Sequence, residues 1–300
     1  ELDRFQRDPY RQTPVAPLAI VQSSSLLRAA KRAIDAERIG RECLALHEKE
    51  ASRDPKRHKW LIPLRYEYAL AVMDTGKIPE ARGLFTSLTK KYPGTPEAVN
   101  SLWRIGQCQR RELQAAMETH AKPGGDNDAN RSALSKAVTG MITVAQQLTD
   151  QAKAQAKIAR GAPARLRLLY EAAWCYRILG EREHKSAKLK IQKDAMRMAW
   201  SRQSPRASRP PENTLTLPKV SPENVPVQES EAQAMKLYSE LIALVPQAPL
   251  AARSRFELAE MLAHKREHDK ATELLQTILE NSPPEDLAQM ARIRLTACLL

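Results

Sequence analysis

The sequence predicts an all-α protein in which antiparallel helix hairpins stack into a solenoid interrupted by an irregular basic insertion. Three observations lead there. The apolar residues are mostly Ala and Leu, aromatics make up only 5% of the 300 residues, and there are ten Gly; Ala and Leu lose little entropy in a helix, whereas strands favour β-branched and aromatic residues. Apolar positions recur at helical spacing, with breaks every 15 to 28 residues and no sustained two-residue alternation. Finally, one offset pattern occurs three times: Ala81, Phe85, Leu88, Pro93; Ala234, Tyr238, Leu241, Pro246; and Ala271, Leu275, Ile278, Pro283.

Taken in order, residues 1–24 contain Pro9, Pro14 and Pro17 and read as an extended arm. A helix follows over 25–51, broken at Pro55, and another over 60–75, where Gly76 suits a C-terminal cap. Pro79 opens a helix that runs to Lys91, "YPGTP" separates it from one over 97–120, and "AKPGGDNDAN" is a polar loop before a long helix over 132–160. A helix over 164–180 ends near Gly180 and passes into a basic helical stretch to residue 200. Residues 201–230 hold six prolines and few large apolar groups and read as a linker or insertion. Helices over 231–244, 249–264 and 269–280 follow, and a last one begins near Pro284. The organisation is thus an arm (1–24), N-terminal repeats (25–120), a long-helix and basic segment (121–200), the linker (201–230) and C-terminal repeats (231–300). The helix over 164–180 needs a second-helix partner: either residues 183–200 supply it, or the helix at 231–244 does, which carries the second-helix pattern and would make 181–230 an insertion within one hairpin.

The repeated offsets have a physical reason. Two antiparallel helices approach closely only where one side chain is small, hence Ala at the crossing, with Ala69 and Ala259 twelve residues before Ala81 and Ala271. A large apolar residue one turn later fills the space to the next hairpin, and proline ends the helix because it lacks an N–H and clashes with the preceding turn. One hairpin cannot bury its apolar face alone, so hairpins stack.

These residues resemble the tetratricopeptide repeat (TPR) family. "TGKIPEARGLF" is similar to the family's G-x-[YI]-x-E-A-x3-[FY] core, and "KKYPGTPEAVNSLWRIGQC" to the variant of bacterial envelope proteins, over residues 60–110 and 231–300. The resemblance implies a non-enzymatic scaffold that binds a protein or peptide in a concave groove, with an envelope or periplasmic location. In the family's register Tyr66, Leu70, Met73, Phe256, Glu260 and Ala263 would face that groove. Some members capture a C-terminal carboxylate with Lys and Asn there; Tyr66 and Leu70 occupy the corresponding places, so the implied ligand is an extended or helical apolar segment.

Net charge is +13, and residues 151–210 alone hold fifteen Lys or Arg against four acids. Any positive field therefore acts from that segment. Arg165, Arg167, Arg177, Arg182, Lys185, Lys188 and Lys190 are interleaved with Tyr170, Trp174 and Tyr176, the combination that single-stranded nucleic acid, another polyanion or an acidic protein would use. The aromatics nonetheless follow helical core spacing, which makes the cations a solvated face. An accessory domain of a larger enzyme is a third reading.

Other chemistry has little support. Cys43, Cys108, Cys175 and Cys298 are too far apart for a zinc site and read as core. His264 and His268 fall at an expected turn, and "DNDAN" lacks the Gly and closing Glu of a calcium loop. No phosphate-binding loop or nucleophile–base pairing is legible, so neither cofactor nor metal is expected. No run of about 18 apolar residues occurs. The polar opening "ELDRFQRDPYRQ" is unlike a signal peptide, and the chain reads as a mature form or a fragment.

Overall fold

The computed structural model describes residues 2–51, 58–157, 162–203 and 218–300. Among them lie eleven α-helices and no strand: α1 (Ala16–Ala29), α2 (Ala33–Ala51), α3 (His58–Asp74), α4 (Ile78–Lys91), α5 (Pro96–Ala121), α6 (Asp128–Gln155), α7 (Ala162–Gln203), α8 (Glu229–Leu244), α9 (Pro249–His264), α10 (His268–Glu280) and α11 (Glu285–Leu299). The chain divides into two compact units, residues 1–148 and 149–300, with the boundary inside α6.

In the first unit α1 packs on α2, α2 on α3, α3 on α4 and α4 on α5, while α1 and α3, and α3 and α5, also touch. This is the contact order of stacked hairpins, each first helix lying beside the next first helix. The second unit repeats it with α7 on α8, α8 on α9, α9 on α10 and α10 on α11, plus contacts of α7 and α11 with α9. The three sequence repeats sit where the packing argument places them. Ala81, Phe85, Ala234, Tyr238, Leu241, Ala271, Leu275 and Ile278 are fully buried, as are Ala69 and Ala259, and Leu88 is nearly so. Tyr92 and Val245, each just before its proline, leave the helix with almost the same backbone (φ −131°, ψ 53° and φ −145°, ψ 66°), because a residue preceding proline is driven out of the α region.

The hairpin turns also repeat. Lys31, Gly76 and Arg266 all have positive φ (61°, 85° and 62°). In each turn the next amide, of Arg32, Lys77 or Glu267, bonds back to the carbonyl five residues earlier, of Leu27, Val72 or Leu262. That is a left-handed helix termination, which satisfies carbonyls left open by the helix end.

Three expectations are corrected. Residues 1–24 are not an extended arm: short 3₁₀ turns cover Leu2–Gln6 and Tyr10–Gln12, and α1 begins at Ala16. Pro17 lies in the first turn of α1, where a missing N–H costs no bond, and Ala16 and Ile20 are buried. The single helix expected over 25–51 is two, split by the left-handed Lys31. α7 does not end near Gly180 but runs 42 residues without interruption. A Cβ on Gly180 would lie 2.8 Å from the backbone N of Glu231, so this glycine permits the start of α8 to close on α7. The packing of α8 on α7 answers the partner question: the two form one hairpin, and the long connection lies between them. Residues 204–217 of the proline-rich linker lie outside the described residues. Its described end, 218–228, runs along the second unit, with Gln192 donating to the carbonyl of Pro218 (2.9 Å) and Val225 buried.

Candidate functional site: the groove of the second unit

The first helices α7, α9 and α11 lie side by side in the second unit, and the second helices α8 and α10 back them. The first-helix face carries a cavity of 340 Å³ lined by Arg177, Gly180, Glu181, His184 and Lys185 of α7, Glu231 of α8, Glu260, Met261, Ala263 and His264 of α9, and Arg294 of α11.

Most of the charge around this cavity is neutralised locally. Arg177 is ion-paired to Glu257 and to Glu181 (3.2 Å), and its guanidinium stands 5.4 Å from the centre of the Trp174 ring. Arg294 grips Glu260 with two nitrogens, Nη2 lying 2.6 Å from Oε2. This two-point pairing holds both side chains in fixed directions. The Arg177–Glu257 and Arg294–Glu260 pairs tie α7 to α9 and α9 to α11, and so brace the groove floor.

The deepest part is a polar cluster. Lys265, at the end of α9, is buried with its ammonium 3.1 Å from Glu231 Oε2, and donates to the carbonyl of Val225 at 3.0 Å. The same ammonium lies 3.4 Å from His184 Nδ1. An ammonium can only donate, so Nδ1 accepts and the imidazole proton sits on Nε2. His184 is 5% exposed, and its Nε2 has no hydrogen-bond partner among the described residues. The His264 ring stands edge-on to it at 4.9 Å. Burial, then Lys265, His264 and Lys188, hold the His184 pKa below the usual histidine value, against the opposing pull of Glu231.

The groove residues expected from the sequence divide. Glu260 and Ala263 line the cavity, and Phe256 is buried beside them on α9. In the first unit Leu70 and Met73 are buried, and Met73 lies against α5, with Cys108 Sγ 3.8 Å from Met73 Sδ. Tyr66 is half-buried against Phe85, with ring centres 5.8 Å apart. The basic set divides too. Arg165 is paired with Glu240 (2.8 Å) and Arg177 with Glu257, whereas Arg167, Lys185 and Lys190 are exposed and Arg182 and Lys188 are half-buried. Arg165 and Arg177 therefore serve packing within the second unit.

The remaining motifs have local roles. Asn127 Oδ1 caps α6 by accepting from the Asn130 amide, and Asp126 and Asp128 both pair with Arg131. Burial pushes the Cys43 thiol to about 12 and that of Cys108 to about 11, which makes them poor nucleophiles. The Lys265–Glu231–His184 cluster was not foreseen. Its members are 81 residues apart at the extremes, and no local spacing links them.

Residues 232–286, from α8 through α10, match the tetratricopeptide repeat family model. No curated protein matches the chain. Two crystal structures of kinesin light chain nearly identical TPR-like repeats from Podosopora anserina, one of them a point variant, are similar in fold. Each is 16% identical; the TM-scores are 0.51 and 0.50, over 89% and 90% of this chain and 95% and 96% of those chains. The fold class is thus an all-α array of TPR-like helix hairpins.

Proposed function

We propose that this chain is a non-enzymatic scaffold that binds a protein partner in the first-helix groove of its second unit. The observation that carries the reading is the cavity between α7, α9 and α11, open on the face that the stacked hairpins leave uncovered and braced by the Arg177–Glu257 and Arg294–Glu260 pairs. Its lining joins an apolar floor, Met261 and Ala263, to a polar rim, the combination that seats a side chain of an incoming segment and fixes its direction. The cysteines, the ion-paired arginines and the neutral His184 form no nucleophile–base pair, which favours binding over catalysis. The TPR match over 232–286 supports the same reading, since α8–α10 form the groove's back and one wall.

Plugging the cavity tests this. With a partner recovered by photo-crosslinking from groove positions, Ala263→Trp is expected to weaken its binding at least tenfold. Glu273→Lys, on the exposed side of α10, should leave it unchanged. Equal binding by both variants would overturn the assignment.

A further inference from the structure

The Lys265 cluster does more than fill space. Its ammonium holds three elements at once: the carbonyl of Val225 in the 218–228 strap, Glu231 in the first turn of α8, and His184 on α7. His184 and Glu231 are also cavity walls. Whatever moves this cluster moves the groove.

We propose that His184, Lys265 and Glu231 form a proton-sensitive latch, closed while His184 is neutral and opened by a proton on its ring, that controls the strap and the groove wall. Nδ1 can accept from Lys265 only in the neutral imidazole; once protonated, both ring nitrogens are donors. The buried cluster would then hold two cations 3.4 Å apart against the single carboxylate of Glu231, and an uncompensated buried charge is strongly disfavoured. Among the described residues no other nearby group relieves it. His264 and Lys188, on the α9 and α7 sides, add positive charge when protonated. Across the cavity Glu260 is committed to Arg294, and Glu181 to Arg177. Glu183 is occupied by the hydroxyl of Ser230, which donates to it at 2.6 Å.

The structure avoids the conflict by separating the cluster. The strap is the element that can leave: among the described residues its other ties are the buried Val225 side chain, the Gln192–Pro218 bond, the exposed Glu223–Arg266 pair (3.3 Å) and the Gln228 amide, which donates to Glu231 itself (3.2 Å). The first turn of α8 keeps its Glu183 contact, so opening concerns residues 219–228 and the Glu231 side chain rather than the whole helix. The depressed His184 pKa fits this: the closed state refuses the proton and the open state takes it. A group protonated only in the open state favours opening up to about tenfold per pH unit, from its ordinary value near 6.5 downward to its depressed one. This inference rests on reading the cavity as the binding groove, but its test needs no partner, so the two can fail separately.

The test is amide hydrogen exchange on the full chain at pH 7.5 and 5.5, corrected for intrinsic rates. Protection at 219–228 is expected to fall about tenfold in the parent, with α10 unaffected. His184→Gln keeps an acceptor for Lys265 without a titrating ring, and should show no pH effect; His264→Gln should keep it. Unchanged protection in the parent, or the same loss in His184→Gln, would overturn the latch. Should His184→Gln fail to fold, NMR titration of the parent decides: a His184 midpoint at or above 6.5 contradicts the proposal, and one clearly below it that tracks the loss of strap protection supports it.

Discussion

Gly76 and Arg266 hold the same place in two hairpins, five residues before the buried Ala81 and Ala271, and both are left-handed, at φ 85° and 62°. For glycine that conformation is free of steric cost; for a residue with a Cβ it costs about 1–2 kcal/mol. Arg266 accepts this because the turn geometry, not the residue, closes the hairpin. Its exposed pair with Glu223 adds little in return. Arg266→Gly is therefore expected to stabilise the second unit by about 0.5–1 kcal/mol, the relief exceeding the added freedom of the unfolded chain. Gly76→Ala should cost the first unit about 1 kcal/mol. Urea unfolding of each variant, followed by hydrogen exchange in its own unit, checks both signs.

Close helix approach at the alanines gives a second expectation. Ala81 and Ala271 are fully buried, so Ala81→Leu and Ala271→Leu should each cost roughly 1–3 kcal/mol. Melting temperatures equal to the parent's would contradict the hairpin crossings.

The positions that carry those crossings are also the ones legible in the sequence. Ala at a crossing, an apolar residue four and seven positions on, and proline after the helix are local signals, and their burial follows the reading residue by residue. The α1–α2 hairpin escaped it although it has the same register: Lys31 stands five residues before the buried Ala36, and Ser24, fully buried, stands twelve before it. Serine and lysine there do not announce a crossing and a left-handed turn as alanine and glycine do. Gly180 misled for a related reason. It reads as a helix stop, yet its use is a close contact with Glu231, which only the tertiary fold reveals. In the first unit Leu70 and Met73 are buried, Met73 against Cys108 of α5, and coverage by a neighbouring helix leaves no mark on α3 itself.

Glu37 gives a pH dependence in the first unit. Burial raises its pKa, but hydrogen bonds from Lys77 and Thr75, with the Lys77 charge, outweigh this and bring it below the ordinary 4.5. A carboxylate with a lowered folded pKa contributes stability that is present above its unfolded value and disappears as pH falls through the folded one. Protection of α2 and α4 amides should therefore fall below about pH 4.5 in the parent. In Glu37→Gln it should be lower at neutral pH and flatter in acid.

Nucleic-acid binding is expected to be weak, because Arg165 and Arg177 are spent on Glu240 and Glu257. Fluorescence titration with single-stranded RNA and DNA at 50 and 150 mM salt should give dissociation constants of roughly 10⁻⁶ M or weaker at the higher salt. Nanomolar binding at 150 mM, abolished by combining Lys185→Glu, Lys188→Glu and Lys190→Glu, would transfer the function to the exposed cations of α7.

The central claim, that the groove of α7, α9 and α11 binds a protein, is tested most directly by site-resolved photo-crosslinking. A photoreactive residue is placed in turn at Ala263 and His264 on the groove face, at Glu273 and Gln276 on the exposed side of α10, and at Lys190 and Arg197 on the exposed part of α7. The account predicts that one discrete partner is captured from Ala263 and His264, and that Ala263→Trp, in a chain carrying the probe at His264, suppresses it. Capture of that partner from Glu273 and Gln276, or from Lys190 and Arg197, with none from the groove positions, would contradict it.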